Sequence, residues 1–258
     1  MRFRPCIDIH NGKVKQIVGG SLKDEGSFAA DNFVSEKGAD YYALMYKESG
    51  LTGGHVILLN RSGTPEYEAD LTEAKKALEV FNGGLQIGGG VTEKNAKSFI
   101  DMGASHVIIT SFAFAGGKVI YENLEKLALA VGKERIVLDL SCRKMDGKFL
   151  VVTDRWQKFT DEEVSVKLLE KLSLYCDEFL VHAVDVEGRQ SGIETEVVNI
   201  LAGSPIPVTY AGGVSSLSDI HLINDAGKGK VDVTVGSALD IFGGKLSYGE
   251  LCDLCRNL

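Results

Sequence analysis

Two aspartates stand inside apolar runs of this sequence, where acid–base chemistry would explain them. Asp8 lies in the run 5–9, and Asp139 lies in the run 136–140. A carboxylate in a buried strand is costly unless it is paired, hydrogen-bonded or used in a reaction. For either residue alone, a carboxylate that caps the following turn is the alternative. Because the arrangement occurs twice, we interpret the pair as a general base and a general acid.

Other features also recur at about half the chain length. Turn signals follow both aspartates, Asn11-Gly12-Lys13 in one case and Asp146-Gly147-Lys148 in the other. Further along each half come a glycine-rich segment and then a small hydroxyl residue. Aligning the halves places Gly88 over Gly212, Gly89 over Gly213, Thr110 over Gly236 and Ser111 over Ser237. This pattern predicts an internal duplication.

The glycine-rich segments are candidate phosphate sites. Glycine lets a ligand approach the backbone, and exposed N–H groups can face an anion. A tight strand-to-helix turn would explain any one such segment, but two matched pairs favour two phosphate sites. We therefore predict a long substrate with a phosphate at each end and one aspartate from each half between them. The predicted binding residues are Gly88, Gly89, Gly90, Thr110 and Ser111 in the first half, and Gly212, Gly213, Gly236 and Ser237 in the second.

Strands and helices alternate along the chain. After the strand that holds Asp8, strands are predicted over 55–59, 85–87, 107–110, 135–140, 178–183, 206–210 and 231–235. Helices are predicted over 31–48, 71–81, 92–102, 119–131, 161–174, 194–202, 218–224 and from 246 onward. Such alternation implies right-handed parallel crossovers. Eight units in 258 residues predict a single α/β domain over 1–258, a (β/α)8 TIM barrel built from two half-barrels.

Composition excludes several classes of function. The formal charge of −8 argues against a broad nucleic-acid surface. No apolar run is long enough to span a membrane, and no signal peptide is recognised. Five irregularly spaced cysteines suit a reducing compartment, so a cytoplasmic location is expected. No cluster has metal-ligand spacing, and neither a metal nor another cofactor is expected.

Several motifs together resemble a known family. They are Ile-Asp-Ile…Asn-Gly-Lys-Val, Ile-Gly-Gly-Gly, Leu-Asp-Leu-Ser-Cys-Arg, His-Ala-Val-Asp-Val-Glu-Gly, Tyr-Ala-Gly-Gly, Val-Gly-Ser-Ala and Leu-Asp-Ile-Phe-Gly-Gly. Across nearly the whole chain they resemble the phosphoribosylformimino-aminoimidazole-carboxamide ribotide isomerases of histidine biosynthesis, in their fungal and plant form. The resemblance implies a cofactor-free Amadori rearrangement of an aminoaldose to an aminoketose, on a substrate with two phosphates. A monomer is expected.

The resemblance also implies residue roles. Asp8 matches the base that takes the C2 proton of the sugar, and Asp139 matches the acid that helps to open the ring. In that division of labour, Asp139 needs a raised pKa and Asp8 a lowered one. Trp156, in the loop after the fifth strand, matches an aromatic that packs on the substrate. Its alternative is a tryptophan buried on the barrel rim.

The sequence departs from the bacterial members at two places. Their threonine at the end of strand six is absent from 182–185, where His182 or Asp185 could replace it. Their arginine after the first glycine triplet is replaced by Thr92. His55 begins a strand and is interpreted as structural.

Two other functions remain open at this point. One is the cyclase subunit of imidazole glycerol phosphate synthase, which shares the barrel and both aspartate positions. The segment Val14-Lys15-Gln16 and Trp156 fit the isomerase better. The other is a catalytically silent phosphate-binding module. The two strand-end carboxylates argue against it, because they would repel bound phosphates without serving any chemistry.

Overall fold

A computed structural model describes residues 1–17, 31–189 and 192–258, and shows eight parallel strands that close into a barrel. Each strand pairs in parallel with the next along the chain. The last strand returns to the first through backbone bonds from Arg4 to Val233 (2.8 Å) and from Val233 to Arg2 (3.0 Å). The strands are β1 (Cys6–His10), β2 (Gly54–Leu58), β3 (Leu85–Gly88), β4 (Val107–Ile109), β5 (Ile136–Asp139), β6 (Glu178–His182), β7 (Val208–Ala211) and β8 (Val231–Thr234).

One α-helix follows each strand, as the alternating pattern predicted. Polar side chains begin several of them: Thr64 accepts a bond from the Tyr67 N–H before a proline at the first helical position, and Ser216 forms a capping box with Asp219. The helices are α1 (Ala39–Glu48), α2 (Pro65–Val80), α3 (Ala96–Asp101), α4 (Tyr121–Val131), α5 (Val166–Leu172), α6 (Thr195–Leu201), α7 (Leu217–Ala226) and α8 (Tyr248–Asn257).

Apolar side chains fill both sides of the barrel wall. The large core lies between strands and helices, where fully buried residues such as Ile9, Leu78 and Phe179 pack. A smaller cluster of Ile108, Val137 and Leu180, with Ile57 against it, belongs to the barrel interior. Strands buried on both faces explain why the sequence shows continuous apolar runs rather than alternation.

A polar layer closes the N-terminal end of the barrel. The Arg4 guanidinium lies 3.0 Å from the Glu178 carboxylate and 3.1 Å from that of Asp232. Gln86 and Thr209 each donate to Glu178 at 3.2 Å. These buried groups satisfy one another, so the floor of the barrel is tied together across β3, β6, β7 and β8.

Short antiparallel strands extend two strand ends. After β1, Asn11 and Gly12 adopt positive φ and the chain returns as Lys13–Ile17, which pairs with Asp31–Val34. After β5, a separate sheet is formed by Cys142–Met145, Lys148–Thr153 and Lys158–Glu163. Asp146 and Gly147 make its first turn, again with positive φ.

Four of the predicted helices were wrong in part, and one of them, 71–81, begins six residues earlier, at Pro65. The segment 31–48 begins as strand Asp31–Val34, and 161–174 begins inside strand Lys158–Glu163. In the first case the return strand Lys13–Ile17 supplies the pairing partner, and in the second the adjacent strand Lys148–Thr153 does, so strand pairing overrides the local pattern. Helix α3 starts at Ala96, because the Thr92 N–H bonds to the Asn95 side chain at 2.7 Å and forms a turn there. Val18, predicted to continue the first return strand, lies outside the described residues.

The backbone repeats between the two halves at the glycine pairs. Gly89 and Gly90 have φ of 109° and 66°, and Gly212 and Gly213 have φ of 123° and 75°. The structural equivalent of Gly212 is therefore Gly89 rather than Gly88, one residue beyond the sequence-based alignment. Gly88 instead ends β3 as Ala211 ends β7. A Cβ at Gly89 or Gly212 would lie 2.3 or 2.8 Å from a carbonyl oxygen of the neighbouring strand.

Candidate active site

The predicted site residues meet at the C-terminal end of the barrel. Asp139 is the last residue of β5, and Asp8 lies two residues before the end of β1, on the opposite side of the strand order. The glycine and hydroxyl residues stand at or just after the ends of β3, β4, β7 and β8. This placement confirms that both halves present their strand ends to one face, where barrel enzymes carry their active sites.

Two cavities open among these strand ends. The larger, of about 580 Å³, is lined by the predicted first-half residues together with Asp139 and Trp156. The smaller, of about 40 Å³, is lined by Gly212, Gly213, Gly236 and Ser237. Asp8, Gln16, His182 and Glu187 line both cavities and separate the two glycine sites.

Asp139 is held as an ionised carboxylate. Its Oδ1 accepts bonds from the Ser141 hydroxyl at 2.7 Å and the Ser141 N–H at 2.9 Å, and its Oδ2 accepts from Thr110 at 3.5 Å. Burial opposes its charge, but the neighbouring His182 and the Ser141 donors outweigh burial and lower the pKa of Asp139. Thr110, predicted as a phosphate ligand, faces the carboxylate in this structure.

His182 stands at the end of β6, where bacterial members carry threonine. Its Nδ1 lies 3.5 Å from the Asp139 Oδ1 and 3.4 Å from the Ser141 hydroxyl. Burial disfavours a charged imidazole, but Asp139, with Glu187 and Asp8, raises the pKa of His182 to about 9. The imidazolium is therefore the main positive charge between the carboxylates. Asp185, the other candidate for that role, instead bonds to the Arg143 side chain and the Lys144 N–H, both at 2.9 Å.

The surroundings of Asp8 shift its pKa in the opposite direction to that of Asp139. Burial, with the nearby Glu187, raises its pKa to about 7, although His182 partly offsets this effect. Register explains the difference between the two aspartates. Asp139 pairs with Leu180, two residues before His182, whereas Asp8 pairs with Ile57, two residues before Leu59. The first half thus has an apolar side chain where the second has a cation. In this structure the directions are opposite to those expected for the substrate complex, since the pKa of Asp8 is raised and that of Asp139 is lowered.

Glu187 was missed by sequence reasoning. It lies in the segment between β6 and α6, and its Oε2 is buried without a hydrogen-bond partner among the described residues. Burial raises its pKa, although His182 acts in the other direction. The signal in the sequence was a glutamate before Gly188, one turn beyond a strand end.

Two further side chains complete the surroundings of His182. The Trp156 ring lies 5.7 Å from the imidazole and lines the larger cavity. The His55 ring lies 6.2 Å from it on the other side, within the barrel. Burial and the His182 charge lower the pKa of His55 to about 3, so it is neutral. His55 is thus an uncharged ring that also lines the smaller cavity, so it lies closer to the site than its position at the start of a strand suggested.

Trp156 belongs to an unusual hairpin tip. Asp154, Arg155 and Trp156 all have positive φ, of 54°, 56° and 67°. Left-handed backbone costs about 1–2 kcal/mol per non-glycine residue, so such a tip needs support from its surroundings. One support is the bond from the Asp154 N–H to the Ser111 hydroxyl at 3.2 Å. The hairpin of the second half is thereby attached to the glycine site of the first.

Positive charge at the first glycine site comes from residues that the sequence did not single out. Arg61 and Arg155 line the larger cavity, as Gly89 and Gly90 do. Thr92, which replaces the bacterial arginine, takes part in the turn before α3 instead.

Within 1–17, 31–189 and 192–258, no group of three His, Cys, Asp or Glu side chains is arranged to hold a metal ion. None of the helices in that part of the chain is long and apolar enough to cross a membrane.

Comparison with known proteins identifies relatives over nearly the full length. A model of the family described as histidine biosynthesis protein matches residues 2–247. A chloroplastic protein of Medicago truncatula is 55% identical over 97% of this chain and 80% of its own length. A Yarrowia lipolytica protein is 47% identical over 96% of both chains. A Saccharomyces cerevisiae protein is 42% identical over 99% of this chain and 97% of its own.

All three relatives are named 1-(5-phosphoribosyl)-5-((5-phosphoribosylamino)methylideneamino)imidazole-4-carboxamide isomerase. The matched region contains every strand of the barrel, both aspartates and both glycine sites. The fold, the duplicated strand ends and these matches lead to one conclusion: the chain belongs to the histidine biosynthesis protein family, whose members fold as TIM barrels.

Proposed function

We propose that this chain catalyses the isomerisation for which its relatives are named, an Amadori rearrangement of the phosphoribosylamino group from aminoaldose to aminoketose. The observation that carries the proposal is the placement of Asp8 and Asp139 at opposite sides of one barrel mouth, with a glycine site beyond each. A substrate with a phosphoribosyl group at each end fits this arrangement.

Phosphate binding is assigned to the two glycine sites. Positive-φ glycines at Gly89, Gly90, Gly212 and Gly213 leave no side chain between the backbone and a ligand. Ser111 and Ser237 stand at the next strand end of each half and can donate to phosphate oxygens. Arg61 and Arg155 supply charge to the first site. Trp156, beside His182, offers a flat apolar face to the reacting end of the substrate.

The reaction needs one proton donor and one proton acceptor. When the ring oxygen takes a proton, the C1–O bond breaks and an imine forms. A base then removes the C2 proton to give an enaminol. The protonated base returns a proton to C1, and the C2 hydroxyl proton passes to the deprotonated donor as the ketone forms, so both groups are regenerated. We assign the base to Asp8, because a pKa of about 7 makes it both ionisable and basic at neutral pH.

On the acid side, the pKa shifts give one role to the Asp139–His182 pair and another to Glu187. Asp139 is ionised and keeps His182 charged, so this pair supplies fixed charges that orient the sugar. Glu187 has a raised pKa and a buried, unpartnered oxygen, which makes it the carboxyl that holds a proton. We propose that Glu187 protonates the ring oxygen while Asp139 and His182 hold that end of the sugar.

Assembly and compartment are proposed on simpler grounds. We propose a monomer, since one chain contributes both glycine sites and both aspartates. All five cysteines are free and buried, which suits a reducing compartment, and we propose the cytoplasm. Light scattering and fractionation of the source cells test these two points.

One assay separates the proposed function from its rivals. Purified protein is given the aminoaldose substrate, with and without ammonia, after exhaustive chelation. The expected result is conversion to the aminoketose without ammonia and at an undiminished rate. Cyclisation that requires ammonia would identify a cyclase, and binding without turnover would identify a silent phosphate-binding module. Activity restored only by a divalent ion would contradict the acid–base mechanism.

A further inference from the structure

A buried carboxylate on α2 lies behind the loops that follow β1 and β2. Asp70 is 0% exposed, yet no cation lies within ion-pair distance of it in the described part of the chain. Its Oδ1 accepts the Gly12 N–H at 2.8 Å, and its Oδ2 accepts the Asn60 N–H at 3.2 Å. A single side chain therefore holds the backbone of two loops that are 48 residues apart in sequence.

These loops are further joined by a reciprocal amide pair. The Asn11 N–H donates to the Asn60 side chain at 2.7 Å, and the Asn60 side chain donates to that of Asn11 at 2.9 Å. Gly12 has φ of 68° and lies so close to α2 that a Cβ would be 3.1 Å from the Ala69 Cβ. The turn is thus fixed against the helix on which Asp70 stands.

The two loops lead directly into the site. Asn11 follows Asp8 by three residues, and the return strand after the turn carries Gln16, which lines both cavities. Asn60 itself lines the larger cavity. A shift of these two joined loops would move the catalytic base and one wall of the cavity together.

Stability does not account for this carboxylate. Burial raises the pKa of Asp70 to about 6, although the Gly12 and Asn60 N–H groups and Lys15 act in the opposite direction, and Glu66 adds to the increase. A raised carboxylate pKa means that ionisation disfavours the folded state at neutral pH. Asp70 costs stability but fixes active-site loops, and this combination is typical of functional residues.

We propose that Asp70 is a positioning residue for the isomerase reaction, which sets the place of Asp8 and Asn60 by holding the Gly12 and Asn60 N–H groups. Asp70 acts through these two loops and does not touch the substrate. The proposal rests on the isomerase function proposed above. Its effect is geometric, since displacements of about 1 Å can cost 10²-fold in rate.

The test compares Asp70→Asn with Glu73→Gln. Glu73 is a buried carboxylate one turn along the same helix, but it accepts the Ala39 N–H at 2.8 Å and stays away from the site. An asparagine at 70 can accept only one of the two N–H groups, because its amide nitrogen is itself a donor. We expect kcat/KM to fall by about 10–100-fold, mainly through kcat, with a melting temperature at or above that of wild type. Glu73→Gln should keep wild-type kcat and KM.

A second measurement does not depend on the variant folding. In wild-type protein, the amide resonances of Gly12 and Asn60 should titrate together with a midpoint near pH 6, the pKa of Asp70. Independent titration of the two amides, or a folded Asp70→Asn enzyme within twofold of wild type, overturns the proposal. Wild-type protein that lacks isomerase activity would instead refute the proposed function, so the two failures are distinguishable.

Discussion

The Nδ1 of His182 lies 3.5 Å from the Oδ1 of Asp139, and this ion pair joins the ends of neighbouring strands β5 and β6. The corresponding position in the first half is Leu59, so Asp8 has no such partner. Two half-barrels with the same backbone thus give their aspartates different ionisation behaviour.

Replacing either aspartate should abolish most of the turnover while leaving substrate binding in place. Asp8→Asn removes the base, and Asp139→Asn removes the charge that keeps His182 protonated. Loss of a general base typically costs about 10²–10⁴ in rate, and we expect kcat of Asp8→Asn to fall by at least this much, with a similar fall for Asp139→Asn because His182 loses its counter-charge. Separate measurement of kcat and substrate affinity checks the prediction. Asp101→Asn, at an exposed Lys97 pair on α3, is the control. If affinity alone collapsed, both aspartates would be binding groups.

The pH profile of kcat/KM should be bell-shaped. Asp8 must be ionised to act as a base, so activity rises as pH increases through about 7. Glu187 must hold its proton and His182 its charge, so activity falls as pH increases through the raised pKa values of these two groups, about 9 for His182. Because these groups interact, the measured values belong to the set rather than to single residues. His182→Gln should move the alkaline limb, whereas the half-buried His106→Gln should not. An unchanged alkaline limb in the first variant would contradict the role of His182.

Glu187→Gln tests the proton donor. The amide has nearly the same shape but cannot supply a proton, so kcat should fall by about 10²–10⁴. Substrate affinity should change little, because Glu187 is assigned no phosphate contact. Glu196→Gln is the matched control, because Glu196 is exposed on α6 and pairs with Lys144. Near-normal kcat in Glu187→Gln would transfer the donor role to the His182 imidazolium.

Gly212→Ala should weaken binding at the second glycine site. Its φ of 123° disfavours any L side chain, and a Cβ would lie 2.8 Å from the Ala183 oxygen. We expect KM to rise by an order of magnitude or more and the free energy of unfolding to fall by about 1–3 kcal/mol. Gly147→Ala separates the backbone effect from the steric one, since its φ is 79° and nothing lies within 4 Å. Equal effects of the two substitutions would show that the close contact is unimportant.

Arg4→Met should destabilise the barrel without changing its chemistry. It leaves Glu178 buried without its cation and Asp232 with only the exposed Arg2, and breaking a buried ion pair in this way costs about 3–5 kcal/mol. Arg2 also bonds to Asp232, but its side chain is 58% exposed. Arg2→Met should therefore cost less than about 1 kcal/mol. Urea unfolding of both variants checks the difference, and similar losses would contradict the buried network.

Much of this protein could be predicted from its sequence alone. The strand positions follow from continuous apolar runs, and the barrel follows from eight strands that alternate with helices. Asp8 and Asp139 were identifiable because a charge in such a run is costly. The glycine pairs recur at matched positions and mark the ends of β3 and β7. These are local signals, in which residue type and spacing carry the information.

The tertiary structure decided what depends on residues far apart in the chain. The strand Asp31–Val34 exists because the return strand Lys13–Ile17 pairs with it. The pKa directions of the two aspartates depend on which neighbour the strand register brings beside each one, His182 for Asp139 and an apolar side chain for Asp8. A glutamate before Gly188 is only a weak signal in the sequence, and folding alone buries the Glu187 oxygen at the site. Electrostatic environment is a property of packing, because burial and Coulomb interactions act through space rather than along the chain.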